Sequence, residues 1–301
     1  MLHFLPAFIK GPLALLGYVV NTLFWFPLVL VVGLVKLLPV AGLRRGCSAL
    51  LDRIAGLWIS INNLNQRLVS RTRVQVRGLE GIKRKDWYLV IANHQSWVDI
   101  LVLQRLFNRR LPFLKFFLKK ELLYVPFLGL AWWALDFPFM NRHSRAEIEK
   151  DPSLAGKDIE TTRQACEKFR HIPVSVMNFV EGTRFTPHKH RHQKSPYRHL
   201  LRPRAGGMAF VLSAMGDKLH KLLDVTICYP KGIPSFWDFL CGRVREIRVE
   251  VRVLPIDDGL VGDYFNDADF KEAFQDWVNR LWAEKDETMA RLAAPAGQKH
   301  N

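Results

Sequence analysis

The sequence predicts an α/β protein: a mixed, mostly parallel sheet flanked by helices, behind an N-terminal membrane-anchoring helix or two-helix hairpin. Three observations lead there. Short β-favouring runs, such as Trp87–Ala92 and Pro173–Val180, alternate with amphipathic helical stretches, as layered α/β domains require. Late in the chain Ile247, Val249, Val251 and Val253 alternate with Arg248, Glu250 and Arg252, the period of a strand with one wet face and an antiparallel neighbour. Near the start, residues 11–35 carry no charged side chain, a run longer than the roughly 20 residues a helix needs to cross a bilayer.

In chain order, the apolar run is followed by an amphipathic helical stretch, Leu37 to Val69, so residues 1–70 form the anchor and residues 71–301 the remaining domain. The apolar run is too long for a secretory core and no small-residue cleavage site follows it, which predicts an uncleaved anchor. Asn21, Thr22 and Pro27 interrupt it, and both a single span and a re-entrant hairpin in one leaflet fit. Lys36, Arg44, Arg45 and Arg53 follow it against Lys10 before it, which places the bulk of the chain on the cytoplasmic side. Val74 and Val76 mark a half-exposed strand stopped by Gly78 and Gly81. The Trp87–Ala92 strand leads to a helix over about 97–107. Next come a strand within 112–118, a helix over about 127–135 and a short apolar run, 137–140. The polar segment 143–170 is expected to hold a loop and a helix. The Pro173–Val180 strand, a helix over 206–222, strands over 224–229 and 247–253, and an amphipathic helix over about 267–292 complete the chain.

The chain of 301 residues carries a formal charge of +16 and a pI near 9.9, which favours anionic partners. Residues 184–204 concentrate that charge, with seven Lys/Arg, four His and no acid. A solvated loop lying on anionic lipid head groups is the expected form. Phe185 and Tyr197 are too few aromatics for a base-stacking platform, so nucleic acid is not expected. His188, His190 and His192 alternate without a carboxylate or cysteine beside them, and no metal site is expected there. Cysteines 47, 166, 228 and 241 show no CxxC spacing and are expected to be free, mostly buried thiols.

Several strand ends carry polar groups: His94 with Asp99, Lys119-Lys120, Asn141-Arg142 and Glu181-Gly-Thr-Arg184. Strand ends on one side of an open α/β sheet line a shared crevice, so a base, an acid and several cations can converge. His94 is a natural proton acceptor and Asp99 can orient its ring. Five residues is not a same-face helical spacing, so the two meet only if His94 lies in the turn before the helix. The competing reading is a strand-end histidine beside a capping aspartate. Gly182 allows a tight turn and Arg184 can grip a phosphate, or it can pair with Glu181 as an ordinary salt bridge. Ser96 lies too close in sequence to His94 to serve easily as its nucleophile, and the chain contains no G-x-S-x-G elbow. Trp97 and Val98 are expected to pack under the loop.

Taken together, Asn93-His-Gln-Ser-Trp-Val-Asp99 resembles the NHxxxxD block of the 1-acylglycerol-3-phosphate (lysophosphatidic acid) acyltransferase family. Phe137–Arg142, Phe179–Phe185 and Val225–Pro230 resemble its later blocks, in the family's order. Phe185-Thr186, followed by a basic stretch and Leu201-Arg-Pro-Arg204, looks closest to the lysocardiolipin acyltransferase-like branch. The chain departs from the pattern in the length of 143–170 and in Asn141, where an acidic residue is frequent.

The resemblance implies a glycerolipid acyltransferase-like fold in a membrane such as a bacterial cell inner membrane. It implies O-acyl transfer from an acyl-CoA or acyl-carrier protein thioester to the free hydroxyl of a lysophospholipid, first of all 1-acylglycerol-3-phosphate giving phosphatidic acid, with lysophosphatidylglycerol and lysocardiolipin as alternative acceptors. A non-catalytic membrane protein that binds anionic lipid through the basic stretch is the competing reading. His94 would be the general base and Asp99 its partner. Glu181, Gly182, Thr183 and Arg184 would bind the acceptor phosphate, Lys119 (or Lys115 or Lys120) would be a second phosphate contact, and Arg142 would lie on the acceptor side. Because a thiol leaves well, no cofactor or metal is implied.

Overall fold

A computed structural model describes residues 2, 4–140 and 172–295. Two long helices come first, α1 (Ala7–Val35) and α2 (Ala41–Val69), packed on each other as a hairpin. They are followed by strands β1 (Arg73–Arg77) and β2 (Tyr88–Ala92), helix α3 (Val98–Phe107), strand β3 (Leu114–Phe116) and a short β4 (Leu118–Lys119). A 3-10 turn over Lys120–Tyr124 leads to α4 (Leu128–Ala134) and β5 (Phe139–Met140). After the undescribed segment come β6 (Ser175–Phe179), α5 (Pro187–His192), α6 (Gly206–Met215), β7 (Lys221–Cys228), α7 (Phe236–Leu240), β8 (Glu246–Pro255) and α8 (Ala268–Ala293).

Six strands form one sheet in the order β1-β8-β7-β2-β6-β3. Every neighbouring pair is parallel except β7 with β8, so the mixed, mostly parallel sheet expected from the alternation is present. β4 and β5 pair separately, with Lys119 opposite Met140. The edge strand β1 is half-exposed, and the central β2 is buried along its whole length. Side chains of β2 alternate between two cores, as a two-residue period requires. Tyr88, Val90 and Ala92 pack toward one helical layer, Leu89 and Ile91 toward the other. The first layer contains α1, α2, α3 and α4; the second contains α6 and α8. Buried Lys285 of α8 donates to Val225 O at 2.7 Å and pairs with Asp224, fastening that helix to β7.

The hairpin shares its core with the sheet. Cys47, Leu51, Ile54 and Ala55 of α2, with Val29 and Val32 of α1, belong to the same buried cluster as Val90 and Leu223. The opposite faces carry Leu16, Val20, Phe24, Val31, Leu50, Leu57 and Leu64 in the open. α1 is long and apolar enough to cross a membrane. It also touches the rest of the molecule near both ends. A Cβ on Gly11 would lie 2.8 Å from Trp237 and Cys241, and one on Gly33 would lie 2.6 Å from Ala134. Asn21 donates to Trp58 O and Asn62 Oδ1 and Asn65 donates to Ala14 O, so amide donors link the two helices, while the Thr22 hydroxyl donates to Tyr18 O one turn back in α1.

Two elements depart from expectation. The helix expected over 206–222 stops at Met215, and β7 begins at Lys221, not at Asp224. Gly216 and Asp217 end the helix, and Lys221 and Asp224 fit a buried strand because each has an ionic partner, Asp86 and Lys285 respectively. The basic stretch after Arg184 is not all loop. Thr186 caps α5, its hydroxyl accepting from Lys189 N at 3.2 Å, and Pro187 opens the helix, an arrangement both residues favour. The helix expected within 143–170 falls outside the described residues, as does Cys166; the other three cysteines are buried and free.

Candidate active site

The site is assembled by the register of β2 and β6. Ala92 lies opposite Phe179 in a parallel pair, so Asn93-His94 and Val180–Arg184 leave the sheet side by side at the C-terminal edge. Asn93 closes the neighbouring gap. Its side chain donates to Ile227 O (2.9 Å) and accepts from Ile227 N (2.8 Å), tying the end of β2 to β7.

His94 lies in the turn before α3, and its Nδ1 is 2.9 Å from Asp99 Oδ2. Asp99 is the second residue of that helix and fully buried. The same Oδ2 also accepts from Gln95 N (2.6 Å) and Ser96 N (2.8 Å), and Oδ1 accepts from the Tyr229 hydroxyl at 2.6 Å. A buried carboxylate needs such partners. The Tyr229 hydroxyl is held well above its ordinary range, first by burial and then by the Asp99 charge, and so stays a donor. The His94 ring stacks on Phe179, with centroids 3.9 Å apart. A carboxylate at Nδ1 fixes the tautomer that carries its proton there.

The second turn is bound to the first through backbone. Glu181 Oε1 accepts from His94 N at 3.1 Å, Oε2 accepts from Leu201 N at 3.2 Å, and Phe185 N donates to His94 O at 2.7 Å. Glu181 is fully buried, so its place differs from the one expected: both oxygens face protein N–H groups and the carboxyl is closed to a ligand. Burial raises its pKa from the usual carboxylate range to about 8. Gly182 turns the chain at φ +66°, a conformation that strains residues with a Cβ. Thr183 Oγ1 accepts from Lys189 Nζ at 2.6 Å. Arg184 makes no salt bridge with Glu181; its guanidinium lies over the Trp97 ring, 4.5 Å from the centroid. Trp97 is therefore half-exposed under a cation, not packed beneath the loop, whereas Val98 is buried as expected. The Ser96 hydroxyl donates to Pro234 O at 2.6 Å and is turned away from His94.

Lys119 is exposed in β4, next to Phe117 and Leu118 of the cavity wall, with no hydrogen bond to the Arg184 turn among the described residues. Lys115 is buried and donates to Leu135 O at 2.9 Å, which places it in the helical layer rather than at the turn. Arg142 lies outside the described residues. His190 Nε2 is 2.6 Å from Tyr197 O, and His188 stacks on His192. Among the described residues no three His, Cys, Asp or Glu side chains are grouped as a metal would need.

A cavity of about 410 Å³ opens at the His94 ring. Its wall is apolar and comes from both parts of the chain: Tyr18 and Thr22 of α1, Ala55 and Trp58 of α2, and Phe116, Leu128, Phe137 and Phe179 of the α/β layers. Tyr229 and Phe179 are not singled out by the sequence, and Trp97 is expected there only to pack under the loop. The only sequence signal for the first two was their membership of blocks at strand ends.

A family model described as Acyltransferase matches residues 73–229, which is 157 of the 301 residues. The chain is 26% identical over 255 residues to lysocardiolipin acyltransferase 1 of Gallus gallus, covering 80% of this chain and 63% of that protein. It is 28% identical over 215 residues to the Homo sapiens 1-acyl-sn-glycerol-3-phosphate acyltransferase gamma, covering 67% and 52%. The chain thus spans between 52% and 63% of the length of these relatives. The crystal structure of the 1-acyl-sn-glycerophosphate acyltransferase PlsC from Thermotoga maritima shares the fold, with a TM-score of 0.53 at 17% identity over 97% of this chain and 98% of that one. With more than half its length matched by the family model, the chain belongs to the acyltransferase family.

Proposed function

We propose that this protein transfers an acyl group from a thioester, acyl-CoA or acyl-carrier protein, to the free hydroxyl of a lysophospholipid in the membrane, with 1-acylglycerol-3-phosphate as the first acceptor and phosphatidic acid as its product. The observation that carries the proposal is the His94–Asp99 pair at the mouth of an apolar cavity whose wall includes the N-terminal hairpin. With Nδ1 committed to Asp99, Nε2 is the atom left to act on substrate. It takes the hydroxyl proton as the acceptor oxygen attacks the thioester carbonyl. Collapse of the tetrahedral intermediate breaks the C–S bond, and the imidazolium returns its proton to the departing thiolate. Asp99, fixed by three further donors, stabilises the cation formed in between.

Arg184 holds the acceptor phosphate, Trp97 supporting its guanidinium from below, and Thr183 and Gly182 shape the turn that presents it. Glu181 acts on the protein, setting the two turns against each other. Lys119, which lies in β4 paired with β5, and Arg142 are assigned to the acceptor side, the second by the resemblance alone. Lysophosphatidylglycerol and lysocardiolipin are the alternative acceptors, the second favoured by the resemblance to the lysocardiolipin enzyme.

The hairpin is the membrane attachment. Gly11 and Gly33 are separated by about 33 Å along a helix, yet both lie against the rest of the molecule. That placement supports a re-entrant hairpin lying along one leaflet over a perpendicular span. The basic residues after α1 support the cytoplasmic face of an inner membrane.

The test uses purified protein with labelled acyl-CoA or acyl-carrier protein and a panel of lysolipids. Labelled diacyl product from wild type, and none from His94→Ala, is expected. Free fatty acid as the only labelled product would replace transfer by hydrolysis.

A further inference from the structure

The segment after the basic stretch is a strap around the Gly182 turn. It is fixed at one end by Leu201 N on Glu181 Oε2 (3.2 Å) and at the other by Arg204 N on Val180 O (2.8 Å). The buried Trp282 indole donates to Leu201 O at 3.1 Å and holds the strap from below. Thus fastened, the strap lays the Arg204 side chain across Gly182. A Cβ there would lie 3.2 Å from Arg204 Cδ, 3.6 Å from Nε and 3.8 Å from Nη1.

Neighbouring cations have other employment. Lys189 Nζ donates to Thr183 Oγ1 and to Arg184 O, and the Arg202 guanidinium donates to Lys194 O through Nε and Nη2. Arg204 is exposed, and among the described residues its guanidinium has neither an ion pair nor a hydrogen bond. An arginine placed by a fastened backbone, against the turn that carries Arg184, presents its donors to whatever that turn binds.

We propose that Arg204 is a second guanidinium of the acceptor headgroup site, and that with Arg184 it selects acceptors whose headgroup carries two negative charges. The proposal rests on the reading that the Arg184 turn binds the acceptor headgroup. Two guanidinium forks match a dianion because each can give a charge-assisted, two-point contact. The two charges can come from one phosphomonoester, whose second ionisation lies near neutrality, or from two phosphodiesters on one headgroup.

Steady-state kinetics in mixed micelles, with acyl-CoA as donor, tests this on three acceptors. Lysophosphatidic acid carries two charges on one phosphate, monolysocardiolipin carries two phosphates, and lysophosphatidylglycerol carries one charge. Arg204→Ala is expected to raise KM for a two-charge acceptor about tenfold with kcat within about twofold, the sign of lost headgroup binding, and to leave KM for lysophosphatidylglycerol unchanged. Arg204→Lys should recover part of the loss, and Arg202→Ala should behave as wild type. The acceptor that suffers shows whether the charges sit on one phosphate or two.

An unchanged KM for every acceptor, or an equal rise for all three, overturns the proposal. So does a wild-type preference for the single-charge acceptor. If wild type transfers acyl groups and His94→Ala does not, a flat Arg204→Ala result removes Arg204 alone. If wild type transfers to none of the three from either acyl-CoA or acyl-carrier protein, the underlying reading fails and the proposal with it.

Discussion

The Tyr229 hydroxyl, at the end of β7, donates to Asp99 Oδ1 at 2.6 Å across 130 residues of chain. This bond holds the outer oxygen of the carboxylate whose other oxygen holds His94. Tyr229→Phe leaves that oxygen buried without its donor. A hydrogen bond to a charged group contributes about 1.5–3 kcal/mol, so a lower melting temperature is expected. Turnover should fall about tenfold while acceptor KM stays near wild type, because the residues proposed to hold the headgroup are elsewhere. A rise in KM with full turnover would place Tyr229 in binding instead.

His94→Ala is expected to abolish acyl transfer and leave membrane association intact. Residual activity near wild type would remove His94 from the chemistry. Asp99→Asn should be nearly as damaging, since the amide cannot stabilise an imidazolium as the carboxylate does and its NH2 meets donors at one of its positions. Circular dichroism at matched concentrations separates loss of chemistry from loss of fold.

Trp97→Ala should weaken acceptor binding through Arg184. A cation over an exposed aromatic face contributes about 0.5–1 kcal/mol, which converts to roughly a two- to fivefold rise in acceptor KM. Trp97→Phe keeps a ring under the guanidinium and should recover most of the affinity. Because Trp97 is half-exposed, thermal stability should hardly change in either variant.

Glu181 gives the protein a pH dependence of defined sign. Its folded-state pKa is raised to about 8 by burial, above the unfolded value near 4.3. Between those values the folded state binds a proton that the unfolded state lacks, so this residue's contribution to stability falls as pH rises from about 4.3 to about 8. Glu181→Gln removes the titration. Melting temperatures at pH 6 and pH 8 should therefore differ less in the variant than in wild type; an equal drop in both would assign the dependence to other groups.

Much of this architecture is legible in the residues alone, because period and composition act locally. The alternation in Ile247–Val253, the charge-free run in α1 and the amphipathic stripe of α8 each depend on neighbours within a turn or two. His94 and Asp99 are legible for the same reason, being five residues apart around one turn. What escaped depends on pairing between distant segments. Tyr229 reaches Asp99 only because β7 lies beside β2, and Phe179 meets the His94 ring only through the β2–β6 register. Glu181 looked like a ligand group because an acid beside Gly-Thr-Arg is ambiguous until its carboxyl is found facing two backbone N–H groups. The overlong helix at 206–222 has a similar origin: Lys221 and Asp224 look like surface residues until Asp86 and Lys285 are in place.

The hairpin's part in the cavity wall has a kinetic consequence. With Tyr18, Thr22 and Trp58 lining the space at His94, and the outer faces of the same helices carrying open leucines and valines, the proposed acyl transfer would handle lipid substrate and lipid product in two dimensions. The quantity that saturates such an enzyme is the mole fraction of acceptor in the leaflet, not its bulk concentration. Adding inert phospholipid at constant total acceptor would then slow the reaction by spacing acceptors apart, whereas adding buffer would not.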